Sequence, residues 1–209
     1  MSRAQFDQAA CDSLAQCVKE IEAETDAEIV IAVRARSGSY RHADYLCGAL
    51  LAFISLLFVL FLPWTFEQYW VAIDVLLFFL LGTFLSSRSE WLRRSLTTKK
   101  QRAEAVRTGA AAMFYEAGVA NTGAEMGLLI YLSLLERRLE IIADRGILSA
   151  TPPLKWNGCV FALHQAGRES RLENLNGALR ELGALLKEYL PATGENPNEL
   201  PDAPRFDLK

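Results

Sequence analysis

Four charged side chains stand where strand-like segments begin or end: Glu28, Glu125, Asp144 and Arg145. Glu28 opens the segment EIVIAV, Glu125 lies just before GLLIYLS, and Asp144-Arg145-Gly146 follows RLEIIA. If the first two strand starts are neighbours, Glu28 and Glu125 supply part of the oxygen cage that calcium or magnesium needs. In open α/β sheets, ligands favour the crevice beyond the carboxyl ends of strands. That rule points to Asp144-Arg145-Gly146 and to Arg36-Ser37-Gly38. Asp144 is then suited to hold a cation or orient a water, and Arg145 to bind an anionic group such as phosphate; these two are the catalytic candidates. A plain turn competes with this reading: Asp144 accepts local backbone bonds, Gly146 takes a positive φ and Arg145 is solvated.

Nothing denser accompanies them. The chain has no D-x-D, no P-loop and no G-x-S-x-G, the spacings that would announce phosphoryl or acyl transfer. Its two histidines, His42 and His164, have no partner that sequence identifies. Cys11, Cys17, Cys47 and Cys159 show neither C-x-x-C nor metal-ligand spacing and are expected to be unpaired thiols. Twenty-two basic residues against 25 acidic ones leave a net charge of −3, so no electrostatic case exists for a nucleic-acid partner.

The elements that must position these residues follow from periodicity. Phe6, Ala10, Leu14, Cys17 and Ile21 fall at three- and four-residue spacing, which predicts a helix over Ala4 to Glu24. Glu28 to Val33 is apolar on both faces, as a strand covered on both sides would be. A second amphipathic helix is expected from Lys99 to about Ala117, ended by Gly118. Gly127 to Ser133 and Arg138 to Ala143 flank the polar residues Glu136 and Arg137 and read as a β-hairpin with an exposed, charged turn. Thr151-Pro152-Pro153 predicts an N-cap with proline in the first helical turn, opening a helix that buries Trp156, Val160 and Leu163. Another runs from Arg171 to Tyr189 with Leu175, Leu179, Leu182 and Leu186 in register. Strands apolar on both faces require helices on both, so the economical fold is α/β: an α/β/α sandwich around a small mixed sheet.

Two long apolar runs interrupt that domain after its first strand. Tyr45 to Trp64 and Tyr69 to Ser87 carry one acidic residue between them, Asp74. Each is about 20 residues long, enough to cross a ~30 Å hydrocarbon layer as a helix. They read as a transmembrane helical hairpin. Arg34, Arg36 and Arg41 precede it and Arg88, Arg93, Arg94, Lys99 and Lys100 follow it, whereas the connecting loop carries only Glu67. Retention of positive charge on the inner side predicts a two-pass protein of the cell inner membrane with both termini cytoplasmic. The basic cluster Arg88 to Lys100 is expected to meet anionic membrane lipid. Asp74 sits about five residues from the loop, roughly 7 Å along a helix, and is expected to reach interfacial water or bond across the helix pair. The expected division is residues 1–44 (first helix and strand), 45–87 (the hairpin), 88–190 (the rest of the domain) and 191–209, an extended tail with four prolines.

The segment GLLIYLSLLERRLEIIADRGI, Gly127 to Ile147, resembles the long strand hairpin of the TPM-domain family, whose members include thylakoid-lumen and photosystem-repair proteins. Thr25 to Val30 is similar to that family's entry into its first strand, and Ala111 to Thr122 to the helix end before its hairpin. Asn198-Glu199-Leu200-Pro201-Asp202 resembles a tail carried by some bacterial members. The resemblance covers most of the chain outside the apolar runs and implies an α/β/α sandwich, calcium as a ligand to test, and a weak phosphatase activity attributed to family members. Two features depart from the family's usual arrangement: the spans lie inside the domain, and the domain faces the cytoplasm. The expected function is therefore a membrane-anchored, non-catalytic factor that docks, assembles or maintains a membrane-protein partner. The alternative is a divalent-metal-dependent phosphatase or related hydrolase that uses the strand-end carboxylates.

Overall fold

The computed structural model describes residues 8–61, 67–122, 125–169, 171–194, 200 and 205–207. The chain divides into two units: residues 1–37 with 103–209, and residues 38–102.

The first unit is an α/β/α sandwich. Its sheet holds β1 (Glu28–Arg34), β2 (Gly127–Ser133), β3 (Arg138–Ala143) and the short β4 (Arg205–Asp207), in the order β3-β2-β1-β4. β1 runs parallel to β2, pairing Glu28 with Gly127 through Arg34 with Ser133, and parallel to β4; β2 and β3 are antiparallel. Alternation along the strands decides which layer each side chain joins. Ile29, Ile31, Val33, Leu128, Ile130 and Leu132 point to one face, against α1 (Gln8–Glu22), α7 (Pro153–Glu169) and α8 (Leu172–Tyr189). Val30, Ala32, Leu129 and Tyr131 point to the other, against Val106, Ala110, Met113 and Phe114 of α5 (Lys99–Glu116). Strand residues hydrophobic on both faces thus find helices on both, as their composition requires.

Local chemistry departs from expectation at three places. Gly146 is helical, because Asp144 caps a short helix, α6 (Arg145–Ala150), directly after β3. Thr151 does not cap the next helix; its hydroxyl donates to the Ile147 carbonyl at 2.8 Å and closes α6 instead. In α7, Leu163 is fully buried, while Trp156 and Val160 are only half-buried. Gly118, at φ +79°, follows the end of α5 as its position suggests. The tail returns along the unit. Thr25 bridges Pro191, Thr193 bonds both carboxylate oxygens of Asp26, and residues 205–207 extend the sheet. Phe6 lies outside the described residues, as do most of the tail segment Asn198–Asp202 and the loop residues Trp64 and Thr65.

The second unit is an antiparallel helix pair, α2 (Arg41–Phe61) and α3 (Gln68–Arg88), followed by α4 (Glu90–Ser95). The start of α2 lies beside the end of α3, since Ser86 donates to Asp44 at 2.8 Å. Small residues form the contact: a Cβ on Gly48 would sit 2.4 Å from Thr83 Oγ1, and one on Gly82 2.9 Å from the Gly48 Cα. Backbones approach closely only where side chains are this small. Both helices are long and apolar enough to cross a membrane. Their large side chains point outward: Phe53, Phe58 and Phe61 are 58%, 69% and 86% exposed.

Candidate functional site

The amino-terminal ends of β1 and β2 lie side by side, and β3 ends there too, because Leu128 pairs with Ala143. Glu28, Glu125 and Asp144 therefore gather at one end of the sheet. Glu28 and Asp144 bond different partners, and Glu125 is held through its backbone. Glu28 is 5% exposed and accepts from the Leu200 amide at 3.2 Å. Glu125 is exposed in a left-handed backbone, φ +54°, and its carbonyl accepts from the Gly146 amide at 3.0 Å. Asp144 bonds its own neighbour, Oδ1 accepting from the Arg145 amide at 2.7 Å, and Arg145 is exposed as the first residue of α6. Among the described residues, no three His, Cys, Asp or Glu side chains form a group able to hold a metal ion. As placed, these carboxylates do not make the oxygen cage that calcium or magnesium requires.

Convergence occurs at the opposite end, beyond the carboxyl ends of the parallel strands. The β1–β2 ladder continues past β1, with the Leu134 amide bonded to the Arg34 carbonyl and the Leu135 amide to that of Ala35, each at 3.0 Å. This extension delivers Ser37 to the turn after β2. Ser37 Oγ donates to Ser133 Oγ at 2.8 Å and lies 2.9 Å from the Tyr131 hydroxyl, while its amide donates to Glu136 Oε1 at 3.1 Å. Ser133 in turn donates to Glu136 Oε2. Tyr131, Ser133 and Glu136 are all buried, and burial pushes the Tyr131 hydroxyl pKa above its ordinary value. Gly109 of α5 makes room for this cluster: a Cβ there would come within 2.7 Å of the Tyr131 oxygen. Nearby, Arg34 pairs with Asp207 of β4 at 3.0 Å.

The strand-end rule puts Ser37 beside a strand end, whereas the charged run Glu136-Arg137-Arg138 predicts an exposed turn. The structure corrects this, since Glu136 is 4% exposed and accepts bonds from the Ser37 amide and the Ser133 hydroxyl. The usable signal was parity. Tyr131 and Ser133 are two residues apart on one strand, so both hydroxyls face the same layer. Chemically, the chain Ser37–Ser133–Glu136 is a path along which a hydroxyl proton is drawn toward a carboxylate. Each hydroxyl in it is already engaged by another member, which is how a buried polar cluster is kept satisfied.

In the helix pair, extension of α2 back to Arg41 brings Asp44 into play. Asp44 is buried and receives two bonds from Arg93, at 2.9 and 2.8 Å, besides that from Ser86. The hydrogen bonds to Asp44 raise the Arg93 pKa, so this arginine is committed to a carboxylate rather than free within the basic cluster. Asp74 accepts from Ser55 of the facing helix, the bond across the pair that its position allowed. His42 is exposed and meets the Tyr40 ring edge-on. His164 is half-buried on α7, and burial lowers its pKa. All four cysteines are free thiols.

No family model matches this chain, and no curated protein matches it. Among solved structures it is similar to the BA42 protein from the psychrophilic bacterium Bizionia argentinensis, determined by NMR. Identity is 14% and the TM-score 0.57, over 95% of this chain and 93% of that one. At that identity the likeness concerns the fold alone.

Proposed function

We propose that this chain is a membrane-anchored, TPM-like α/β domain that docks, helps assemble or maintains other membrane proteins, with the domain and both termini on the cytoplasmic face of the inner membrane. The observation that carries the reading is the helix pair. Leucine and phenylalanine side chains line its outside, and each one left in water forgoes about 1.5–3 kcal/mol of burial; lipid removes that cost. Arg41 at the start of α2 shares an end with Arg88 at the close of α3, while Phe61 and Glu67 occupy the other. That asymmetry supports an inward-facing charged end. The mutual satisfaction of Ser37, Ser133, Tyr131 and Glu136 favours a structural cluster over a reacting one.

Protease accessibility tests the topology. Trypsin should spare the α/β unit in spheroplasts and cleave it in inverted membrane vesicles, and the reverse pattern refutes the orientation. Docking predicts a membrane protein that co-purifies reproducibly in mild detergent, and consistently empty purifications count against it.

One observation favours a second reading, a divalent-metal-dependent phosphatase: the register places Glu28, Glu125 and Asp144 at one end of the sheet. Calorimetric titration with calcium and magnesium decides it. Saturable micromolar binding lost in Asp144→Asn or Glu125→Gln puts the enzyme first; no heat at millimolar metal leaves the docking domain.

A further inference from the structure

Resting on the membrane-anchor reading, we infer that the groove around Asp74 is the seat of a partner's transmembrane helix bearing a lysine or arginine. The groove, of about 480 Å³, runs along the α2–α3 pair and is lined by Phe58, Trp70, Ile73 and Leu77, with Ser55 and Asp74 as its polar members. Asp74 lies six residues into α3, about 9 Å along the axis at 1.5 Å per residue. A short aspartate side chain cannot span that distance to the helix end as a lysine or arginine does.

The two aspartates of the pair show what is missing. Asp44 is matched by a two-pronged arginine and a serine. Asp74 lies at a more apolar depth and, among the described residues, has one bonded side chain, the Ser55 hydroxyl. A carboxylate in hydrocarbon is costly until a cation and further donors complete its shell. A second copy of this chain cannot supply the cation, because no lysine or arginine occurs between Arg41 and Arg88. The occupant that fits is a different helix, apolar along the groove and carrying one basic side chain at the depth of Asp74. Lipid ammonium is the competing source and is separated by the experiment.

The test uses the full chain reconstituted in phosphatidylcholine vesicles with two dansyl-labelled Leu/Ala transmembrane peptides. They are identical except for one lysine or leucine placed at the depth of Asp74. Energy transfer from the protein's tryptophans, Trp70 among them, reports association. The lysine peptide should bind about tenfold more tightly than the leucine peptide, the size expected of a polar contact between membrane helices. Asp74→Asn should remove the difference. Asp74→Lys should transfer the preference to a peptide bearing aspartate, a gain that a misfolded protein cannot show. Equal binding of both peptides overturns the inference, as does a preference that survives Asp74→Asn. A preference abolished when phosphatidylethanolamine replaces phosphatidylcholine also overturns it, in favour of a lipid headgroup. Alkaline carbonate separates the two levels: protein stripped from the vesicles ends the anchor reading as well, whereas retained protein without preference ends the groove assignment alone.

Discussion

The two ends of the central sheet hold polar side chains in opposite ways. At the end where β1 and β2 begin, three carboxylates are brought near one another by the backbone register, yet Glu28 takes the distant Leu200 amide, Asp144 takes its own neighbour's and Glu125 is exposed, so among the described residues they form no common group. At the end where these strands finish, three hydroxyls and one carboxylate meet, and two of the links join residues 94 and 96 positions apart. Register makes elements neighbours, but side-chain direction and local hydrogen bonds decide whether chemistry gathers there. The convergent end also closes the α/β unit where the chain leaves for the helix pair, since Ser37 is the last residue before the second unit begins.

The sharpest way to break this comparison is to remove the carboxylate at the convergent end. Glu136→Ala strips the acceptor from the part-buried Ser37 amide and the buried Ser133 hydroxyl. A loss of about 3 kcal/mol is expected, read as a fall of about 10 °C in the melting temperature of the detergent-solubilised chain. A change below about 1 kcal/mol would make the two ends equivalent. Gly109→Ala presses a methyl group against the Tyr131 hydroxyl and should cost about 1–2 kcal/mol. Combining it with Tyr131→Phe should recover part of that loss, and strict additivity in the double-mutant cycle would remove Tyr131 from the cluster.

A smaller effect sharpens the contrast through pH. Burial raises the Tyr131 pKa above its ordinary 10.0, so the folded state keeps this proton after the unfolded state has released it. The stabilisation is therefore whole below pH 10 and declines as pH rises through the folded value. Alkaline melting curves of Tyr131→Phe should lack this component; an unchanged slope would place the hydroxyl outside the stabilising network. At the divergent end, Asp144→Asn and Glu125→Gln should each move stability by no more than about 0.5 kcal/mol. Asparagine caps helices as aspartate does, and Glu125 is exposed. A larger loss in either would reveal a linked carboxylate set after all.

The fold was legible wherever a pattern is local. Ile29, Ile31 and Val33 alternate with Val30 and Ala32, and that parity alone assigned the two covered faces. Leu175, Leu179, Leu182 and Leu186 fixed the buried stripe of α8 before any packing was known. The site was less legible. Glu136 is followed by two arginines, and although the parity of Tyr131 and Ser133 marks a hydroxyl layer, nothing nearby in the chain tells that this carboxylate points inward to meet Ser37 from 99 positions away. Arg93 reads as one more cation in a basic run until α2 begins early enough to present Asp44 to it. Thr151 carries equal credentials to start one helix or to finish another; the 2.8 Å bond to Ile147 chose the second.

By itself, then, the sequence determined the element types, the two-sided burial of the strands and the outward-facing apolar helix pair, because each depends on spacing within a single segment and on the solvent that segment prefers. Tertiary structure alone decided the strand register, the addition of residues 205–207 beside Ala32 to Arg34, the pairing of Asp44 with Arg93 and the meeting of Ser37 with Glu136. Those contacts join distant parts of the chain, and their geometry is set by how whole layers stack, a property that no local run of residues contains.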